Sequence, residues 1–153
     1  MYQHLTETAK DVLKLAQSLA HQDHLEYVGT EHILQAIIQK DTGVAIKVLK
    51  NKGVGLDELQ DRIAQLVKRS NEETWVVGRL PGSPHFRGVV TLAIKEAEKF
   101  QDNVVGSEYL LLGLLRESGC IAEKALADFG ITYKDIAGEV TFLKGSPLAS
   151  NGI

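Results

Sequence analysis

The amino-acid sequence predicts an all-α fold with eight helices, arranged as two pseudo-twofold-related four-helix repeats that form one compact domain. Three observations support this prediction: the sequence repeats itself at a fixed offset, its apolar residues recur at steps of three and four, and glycines follow the apolar segments. Alternation of apolar and polar residues, the pattern of a half-buried strand, is too short to predict a β-sheet, although residues 74–77 allow a brief extended segment.

An internal duplication is the strongest feature of the sequence. The segment Val28–Glu31 (Val-Gly-Thr-Glu) returns 77 positions later as Val105–Glu108 (Val-Gly-Ser-Glu), and this register holds without a gap from Val12 to Leu66. Other matched pairs at this offset are Leu15 and Leu92, Ala16 and Ala93, Leu34 and Leu111, Ala45 and Ala122, Leu49 and Leu126, and Gly53 and Gly130. Matched glycines and a matched Gly-hydroxyl-Glu triplet in one register indicate a duplicated unit.

Each repeat contains four segments with the apolar spacing of an amphipathic helix. In the first repeat these segments run from Leu5 to Ala20, from Ile33 to Ile38, from Val44 to Leu49 and from Leu56 to Val67. Thr6 is the predicted N-cap of the first helix, and Thr30 and Ser107 are the predicted N-caps of the second helix in each repeat. Thr132 and Asp135 predict a capping box that opens the last helix.

The two repeats are predicted to pack on each other, because each alone, at about 75 residues, would leave one side of its helices uncovered. The connection between them contains Gly78, Pro81 and Gly82, which disfavour a helix, and Pro84 suits the first position of the next helix. The predicted bounds are residues 1–145 for the domain, about 5–67 for repeat one, 68–83 for the linker, about 84–144 for repeat two and 146–153 for a flexible tail.

Composition and charge exclude several classes of function. The 153 residues carry a formal net charge of -3, which gives no basic field that would attract nucleic acid or anionic lipid over a long range. No apolar run approaches the ~20 residues of a membrane span, and the first residues lack the pattern of a secretory signal. Cys120 is the single cysteine, so an intramolecular disulfide and a cysteine-pair zinc site are both impossible. A cytoplasmic protein is expected, without a nucleic-acid or membrane partner.

The segment that opens the second helix of each repeat resembles a known family. Gly29–Leu34 (Gly-Thr-Glu-His-Ile-Leu) and Gly106–Leu111 (Gly-Ser-Glu-Tyr-Leu-Leu) are similar to the repeats in the N-terminal domain of Clp-family AAA+ unfoldases, closest to the ClpC/ClpB-like type. The resemblance covers about residues 5–143, with Ser107 and Tyr109 as departures in the second copy. It implies a domain that binds client and adaptor proteins above the ATPase ring of the same polypeptide.

The resemblance implies recognition of proteins, not catalysis. The sequence has no Gly-x-x-x-x-Gly-Lys-Ser/Thr phosphate loop, so no ATP chemistry and no cofactor are expected of these residues. Two kinds of protein fit: the excised N-terminal piece of a larger ATPase subunit, and a stand-alone accessory protein. An unrelated helical-repeat scaffold is the alternative class, and it would require further copies of the unit in a longer chain. An enzyme is the least favoured class.

Glu31 and Glu108 are the candidate binding residues, with Thr30 and Ser107 as their neighbours at the helix start. The duplication is expected to present both glutamates on equivalent surfaces. In the branch of the family that the sequence resembles most, the unfoldases of Gram-positive type, glutamates at this position contact arginine-phosphorylated clients. A carboxylate can bind the guanidinium, and amides at a neighbouring helix N-terminus can bind the phosphate. The alternative is structural, because the helix dipole stabilises a first-turn glutamate by about 0.3–1 kcal/mol without any ligand.

Three further features support weaker hypotheses. His21, His24 and His32 lie near one another in the sequence, but they lack the ligand number and spacing of a zinc site, so no metal is expected. Cys120 precedes a short helix whose dipole could lower the thiol pKa, although core packing is favoured because no catalytic partner is found. Trp75 either covers the seam between the repeats or binds a partner protein.

Overall fold

A computed structural model describes residues 5–22, 28–74, 84–117 and 119–144, with side chains placed for all of these except 69–74 and 84–86. Within these ranges the chain forms eight α-helices and no β-sheet, which confirms the predicted fold class. The helices are α1 (Glu7–Gln22), α2 (Thr30–Lys40), α3 (Val44–Asn51), α4 (Leu56–Thr74), α5 (Pro84–Lys99), α6 (Ser107–Arg116), α7 (Ile121–Asp128) and α8 (Tyr133–Lys144). None of these described helices is both long and apolar enough to cross a membrane.

The helices divide into two halves, α1 to α4 and α5 to α8, whose contacts repeat with pseudo-twofold symmetry. Within the halves, α1 packs on α2 and α5 packs on α6. Between the halves each contact has a counterpart. The contact of α4 with α7 corresponds to that of α8 with α3, and the contact of α2 with α7 corresponds to that of α6 with α3. The contact of α1 with α6 likewise corresponds to that of α5 with α2. Helices α2 and α6 lie at the centre with most of their residues buried, so apolar side chains from both halves form one continuous core.

Polar contacts between the halves follow the same symmetry. Arg62 Nε donates a hydrogen bond to Asp128 Oδ2 at 2.6 Å and joins α4 to α7. At the corresponding positions of α8 and α3, Asn51 Nδ2 donates to Glu139 Oε2 at 3.2 Å. The two contacts lie at equivalent positions, but the first is an ion pair and the second is a hydrogen bond between an amide and a carboxylate. The two halves therefore have the same architecture but different polar side chains at this contact.

Two helix starts confirm predicted caps. The Ala9 N–H donates to Thr6 Oγ1 at 3.1 Å, which caps α1. At the start of α8, the Asp135 N–H donates to Thr132 Oγ1 at 3.3 Å, and the Thr132 N–H donates to Asp135 Oδ2 at 3.2 Å. This reciprocal pair is the predicted capping box, and it satisfies amides that the first helical turn leaves without a partner.

The predicted N-caps Thr30 and Ser107 are wrong by one position. The N-cap residues are Gly29 and Gly106, whose backbones are extended, with φ of -105° and -92° and ψ of 174° and 177°. Thr30 and Ser107 are therefore the first residues inside α2 and α6, and no side chain caps either helix at these glycines.

Helix α4 extends further than the sequence predicted. It continues to Thr74, whereas the linker was predicted to begin at residue 68. Residues 68–74 contain neither glycine nor proline, so the backbone of a helix that begins at Leu56 has no reason to break there. Residues 75–83, with Trp75 and most of the predicted extended segment, lie outside the described residues, as does the predicted tail at 146–153.

Candidate functional site

The candidate glutamates occupy equivalent positions in the first turns of the two central helices. The Glu31 carboxylate turns back over Gly29, and the Glu108 carboxylate turns back over Gly106. A β-carbon at Gly29 would lie 2.9 Å from Glu31 Oε2, and one at Gly106 would lie 3.0 Å from Glu108 Oε2. Glycine is therefore suited to the position before each helix, because the carboxylate fills the space that a side chain would take.

Both glutamates are buried. Their positions in the two halves are equivalent, as expected, but the expectation that they lie on the surface is wrong. Glu31 is 5% exposed and Glu108 is 2% exposed. Burying a carboxylate is unfavourable unless a hydrogen bond or an opposite charge compensates it. The groups around each carboxylate therefore decide what each site can bind.

The neighbours Thr30 and Ser107 connect the two halves at these helix starts. The Ala45 N–H, in the first turn of α3, donates to Ser107 Oγ at 3.3 Å. In the other half the Thr30 side chain acts on Cys120, the residue just before α7, where it favours the thiolate form. Each hydroxyl group thus lies beside the start of the short helix of the opposite half. As a result, the residue before each glutamate lies beside the N-terminus of a second helix.

In the second half, Glu108 belongs to a charge network at the end of α8. Lys144 Nζ lies 2.6 Å from Glu108 Oε2 and 3.0 Å from Asp102 Oδ2. The Tyr109 hydroxyl donates to Asp102 Oδ2 at 2.9 Å, and the Tyr109 ring centroid lies 5.4 Å from Lys144 Nζ. Two carboxylates and one aromatic ring therefore surround a single ammonium group, and the charge of Glu108 is compensated within the protein.

The pKa shifts in this network follow from burial and pairing. Burial alone would lower the pKa of Lys144, but its hydrogen bonds and charge attraction to Glu108 and Asp102 raise that pKa above the ordinary lysine value. Burial alone would raise the pKa of Asp102, but hydrogen bonds from Lys144 and Tyr109 outweigh it and lower that pKa. Both shifts favour the charged forms, so this ion pair persists at neutral pH.

The first half lacks a corresponding network. At the offset of 77 positions, Val67 stands where the second half has Lys144, and His32 stands where it has Tyr109. His32 Nδ1 accepts the Gly29 N–H at 2.9 Å, which holds the turn before α2. In the described part of the chain, no hydrogen bond or ion pair reaches the Glu31 carboxylate. The two glutamates are therefore equivalent in position and different in environment.

The histidines named in the sequence do not form a cluster where the structure describes them. His32 is 1% exposed and uses Nδ1 in the turn before α2, while His21 is exposed in the last turn of α1. His24 lies outside the described residues. Among the residues that are described, no group of three or more histidine, cysteine or acidic side chains could hold a metal ion.

Cys120 is a core residue, and the hypothesis that the helix dipole lowers its pKa is wrong. The residue is 3% exposed. Burial raises the pKa of the Cys120 thiol and outweighs the opposing hydrogen bonds from the Glu123 backbone and the Thr30 side chain. Cys120 Sγ accepts the Glu123 N–H at 3.4 Å and donates to the Leu114 carbonyl oxygen at 3.6 Å. The thiol therefore caps α7 from inside the core.

This environment predicts a slow thiol reaction. We expect Ellman's reagent to label Cys120 at least about tenfold more slowly in the native protein than in the protein unfolded by guanidinium chloride, because reaction requires local opening and a thiolate. The measurement is the rate of absorbance increase at equal reagent concentration and pH. Equal rates in the two states would contradict the buried position.

Comparison with known proteins assigns the chain to a family. Residues 4–141 match the family model described as the Clp repeat (R) N-terminal domain. The chain belongs to this family. The chloroplastic chaperone protein ClpC2 of Oryza sativa subsp. japonica is 35% identical over 152 residues, which is 99% of this chain and 16% of that protein. The chloroplastic chaperone protein ClpC1 of Arabidopsis thaliana is 35% identical over 145 residues, 95% of this chain and 15% of that protein.

Solved structures share the fold of this Clp repeat domain. The N-terminal domain of the caseinolytic protease associated chaperone ClpD from Arabidopsis thaliana matches it with a TM-score of 0.73 at 18% identity, covering 94% of this chain and 97% of that one. The Hsp104 N-terminal domain from Candida albicans matches with a TM-score of 0.71 at 20% identity, covering 94% and 93%. The two-half helical architecture is therefore the one that these domains adopt.

Proposed function

We propose that this Clp repeat domain is a non-catalytic recognition module of an ATP-dependent Clp chaperone or protease subunit, and that it binds client and adaptor proteins. The observation that carries the proposal is the pair of buried carboxylates, Glu31 and Glu108, at equivalent helix starts. Family membership supports it, because curated relatives are named as chaperones and as an ATP-binding subunit of an ATP-dependent Clp protease.

The chemistry of the two glutamates favours a cationic ligand. A buried carboxylate is stabilised when an ammonium or guanidinium group enters the same low-dielectric space. We infer that the ligand is an arginine side chain that carries a phosphate on its guanidinium group. The guanidinium nitrogens would pair with the carboxylate, and the phosphate would approach amides at the neighbouring helix N-terminus, α7 beside Thr30 or α3 beside Ser107.

The length of the relatives supports a place in a larger polypeptide. This chain spans 16% of the rice relative. We infer that the natural protein continues into an ATPase ring, which would be the partner that receives the bound client. A stand-alone accessory protein is the alternative, and a phosphate loop encoded downstream of Ile153 in the natural gene would decide against it. A cytoplasmic location is proposed because the sequence has a single cysteine and so uses no intramolecular disulfide, as is usual in a reducing compartment.

The test is a calorimetric titration of phosphoarginine into the protein. Replacing both glutamates, Glu31→Ala with Glu108→Ala, should weaken binding by at least about tenfold, because a hydrogen bond to a charged group contributes about 1.5–3 kcal/mol. Absence of heat from the unsubstituted protein at millimolar ligand would reject phosphoarginine as the ligand. Equal affinity of the two proteins would reject the glutamates as binding residues and leave adaptor docking as the better function.

Glu58→Ala is the matched control for the effect of the substitution on the helix. Glu58 is also a first-turn glutamate, it turns back over Gly55 in the same way, and it is exposed on α4. Its loss should remove a similar stabilisation by the helix dipole, about 0.3–1 kcal/mol, without changing binding of phosphoarginine. Thermal unfolding of all three proteins separates lost binding from lost structure.

A further inference from the structure

We propose that Lys144 blocks the second of the two sites, so that the domain offers one open cation-binding site, at Glu31. This inference rests on the proposed function, and it names the half of the domain that receives the cationic side chain of a client. Two observations carry it: an ammonium group of the protein itself lies on Glu108, and no described group of this kind reaches Glu31.

The Glu108 site is occupied by the chain itself. The Lys144 ammonium contacts Glu108 at 2.6 Å and Asp102 at 3.0 Å, and the Lys144 side chain is only 25% exposed. A tethered ammonium is present at a far higher effective concentration than a client side chain in solution. A cationic ligand would have to displace it, and a site that is open in only a small fraction of molecules binds in proportion to that fraction.

The Glu31 site has the same carboxylate without the internal cation. Glu31 is 5% exposed, and its carboxylate turns back over Gly29 as Glu108 does over Gly106. The residue at the position of Lys144 is Val67, a partly buried aliphatic side chain that cannot supply charge. In the described ranges no lysine or arginine lies within ion-pair distance of Glu31.

The occupied site shows which chemistry suits the open one. Lys144 demonstrates that an ammonium group can reach this buried first-turn carboxylate at hydrogen-bond distance. A nearly buried carboxylate with no described partner gains more from an incoming cation than one that is already paired. A basic side chain of a client, carrying an ammonium or guanidinium group, would therefore occupy at Glu31 the place that Lys144 occupies at Glu108.

The test exchanges the two residues between the halves and follows the amide resonances of each half by NMR during titration with phosphoarginine. In the unsubstituted protein, the amides of Thr30 and Glu31 should shift while those of Ser107 and Glu108 change little. Lys144→Val should add shifts at Ser107 and Glu108 and raise the calorimetric stoichiometry from one to two. Adding Glu108→Gln to Lys144→Val should remove the gained site.

The reverse exchange tests the open site. Val67→Lys should weaken binding at Glu31 by about tenfold or more, because the new ammonium competes for the same carboxylate. Lys144→Gln is a second variant that keeps a polar side chain while removing its charge, and it should open the second site as Lys144→Val does. Thermal unfolding of each variant tests whether the helices are intact.

The outcomes separate this inference from the proposed function. Equal shifts in both halves of the unsubstituted protein would overturn the block by Lys144 and leave the proposed function standing. If neither Lys144 variant gains a second site, the block by Lys144 is also overturned and the proposed function still stands. Absence of shifts in every variant would overturn the proposed function and this inference with it. Shifts confined to the first half, extended to the second by either Lys144 variant, would support both.

Discussion

Replacing Gly113 with valine is expected to destabilise the domain by about 3 kcal/mol, because α6 packs against α5 with no room for a side chain at this position. A β-carbon on Gly113 would lie 2.7 Å from the Val89 carbonyl oxygen and 3.3 Å from the Ala93 backbone nitrogen. Both are backbone atoms of α5, so the clash cannot be relieved by turning a side chain. The two helices would have to move apart, and contacts along the whole α5–α6 interface would weaken.

Alanine at the same position is the sharper version of the test. In an unconstrained helix, Gly→Ala stabilises by about 1 kcal/mol, but here the contact with Val89 should reverse the sign and cost about 1–2 kcal/mol. The equivalent residue of the first half is Ala36, which is fully buried. Gly113→Ala therefore installs the residue that the other half uses and should still be harmful.

The control is Ala36→Gly, which should cost about 1 kcal/mol through lost helix propensity. Urea unfolding followed by circular dichroism gives the free energy of unfolding for each variant. If Gly113→Ala proved more stable than the unsubstituted protein, the close approach of α5 and α6 at Gly113 would be incorrect. Equal losses for alanine and valine would also contradict it, since the clash should grow with side-chain volume.

The helices and their symmetry were predictable because their signals are local and repeated. Apolar spacing decides a helix within a few turns, and caps such as Thr6 and the Thr132–Asp135 pair act on amides three residues away. The linker was predicted to begin at residue 68, although α4 continues to Thr74, since a polar stretch such as residues 68–74 is compatible with a helix as well as with a loop.

The site was predicted less completely, because its chemistry depends on residues that the duplication does not match. Comparing repeats selects Glu31 and Glu108, but it passes over Lys144, whose counterpart is Val67. The helix dipole alone makes lysine common in the last turn of a helix, so the sequence position of Lys144 did not indicate a role at the site. Which side chain it reaches depends on how α8 packs against α6.

The position of Glu96 in the sequence does indicate a buried polar contact. It lies three residues after Ala93 and one before Ala97, on the buried face of α5, and its counterpart in the first half is Leu19. A charged residue at an apolar position of a duplicated helix predicts a buried polar contact made in one half only. The partner could not be named from the sequence, because Arg116 and Tyr133 lie on two other helices.

Removing the guanidinium group beside Glu96 is expected to have a comparably large effect on stability. Glu96 is fully buried, Arg116 Nη1 donates to its Oε2 at 2.7 Å, and the Tyr133 hydroxyl donates to its Oε1 at 2.6 Å. Arg116→Ala would leave a buried carboxylate with the tyrosine hydroxyl as its remaining hydrogen-bond donor. Breaking a buried pair from one side costs about 3–5 kcal/mol, and since the Arg116 side chain is 43% exposed we expect about 2–3 kcal/mol.

The first half supplies the control for this prediction, because it has Leu19 and Gln39 at the positions of Glu96 and Arg116. The double variant Glu96→Leu with Arg116→Gln removes the buried charge together with its partner, so it should lie within about 1 kcal/mol of the unsubstituted protein. Lys99 Nζ, 3.0 Å from the Tyr133 hydroxyl oxygen, still gives that hydroxyl a partner. Urea unfolding of Glu96→Leu, of Arg116→Gln and of the double variant gives the coupling free energy between positions 96 and 116. Losses that simply add would mean that the guanidinium contributes through packing alone, and the assignment of Arg116 as the counter-charge of Glu96 would then be wrong.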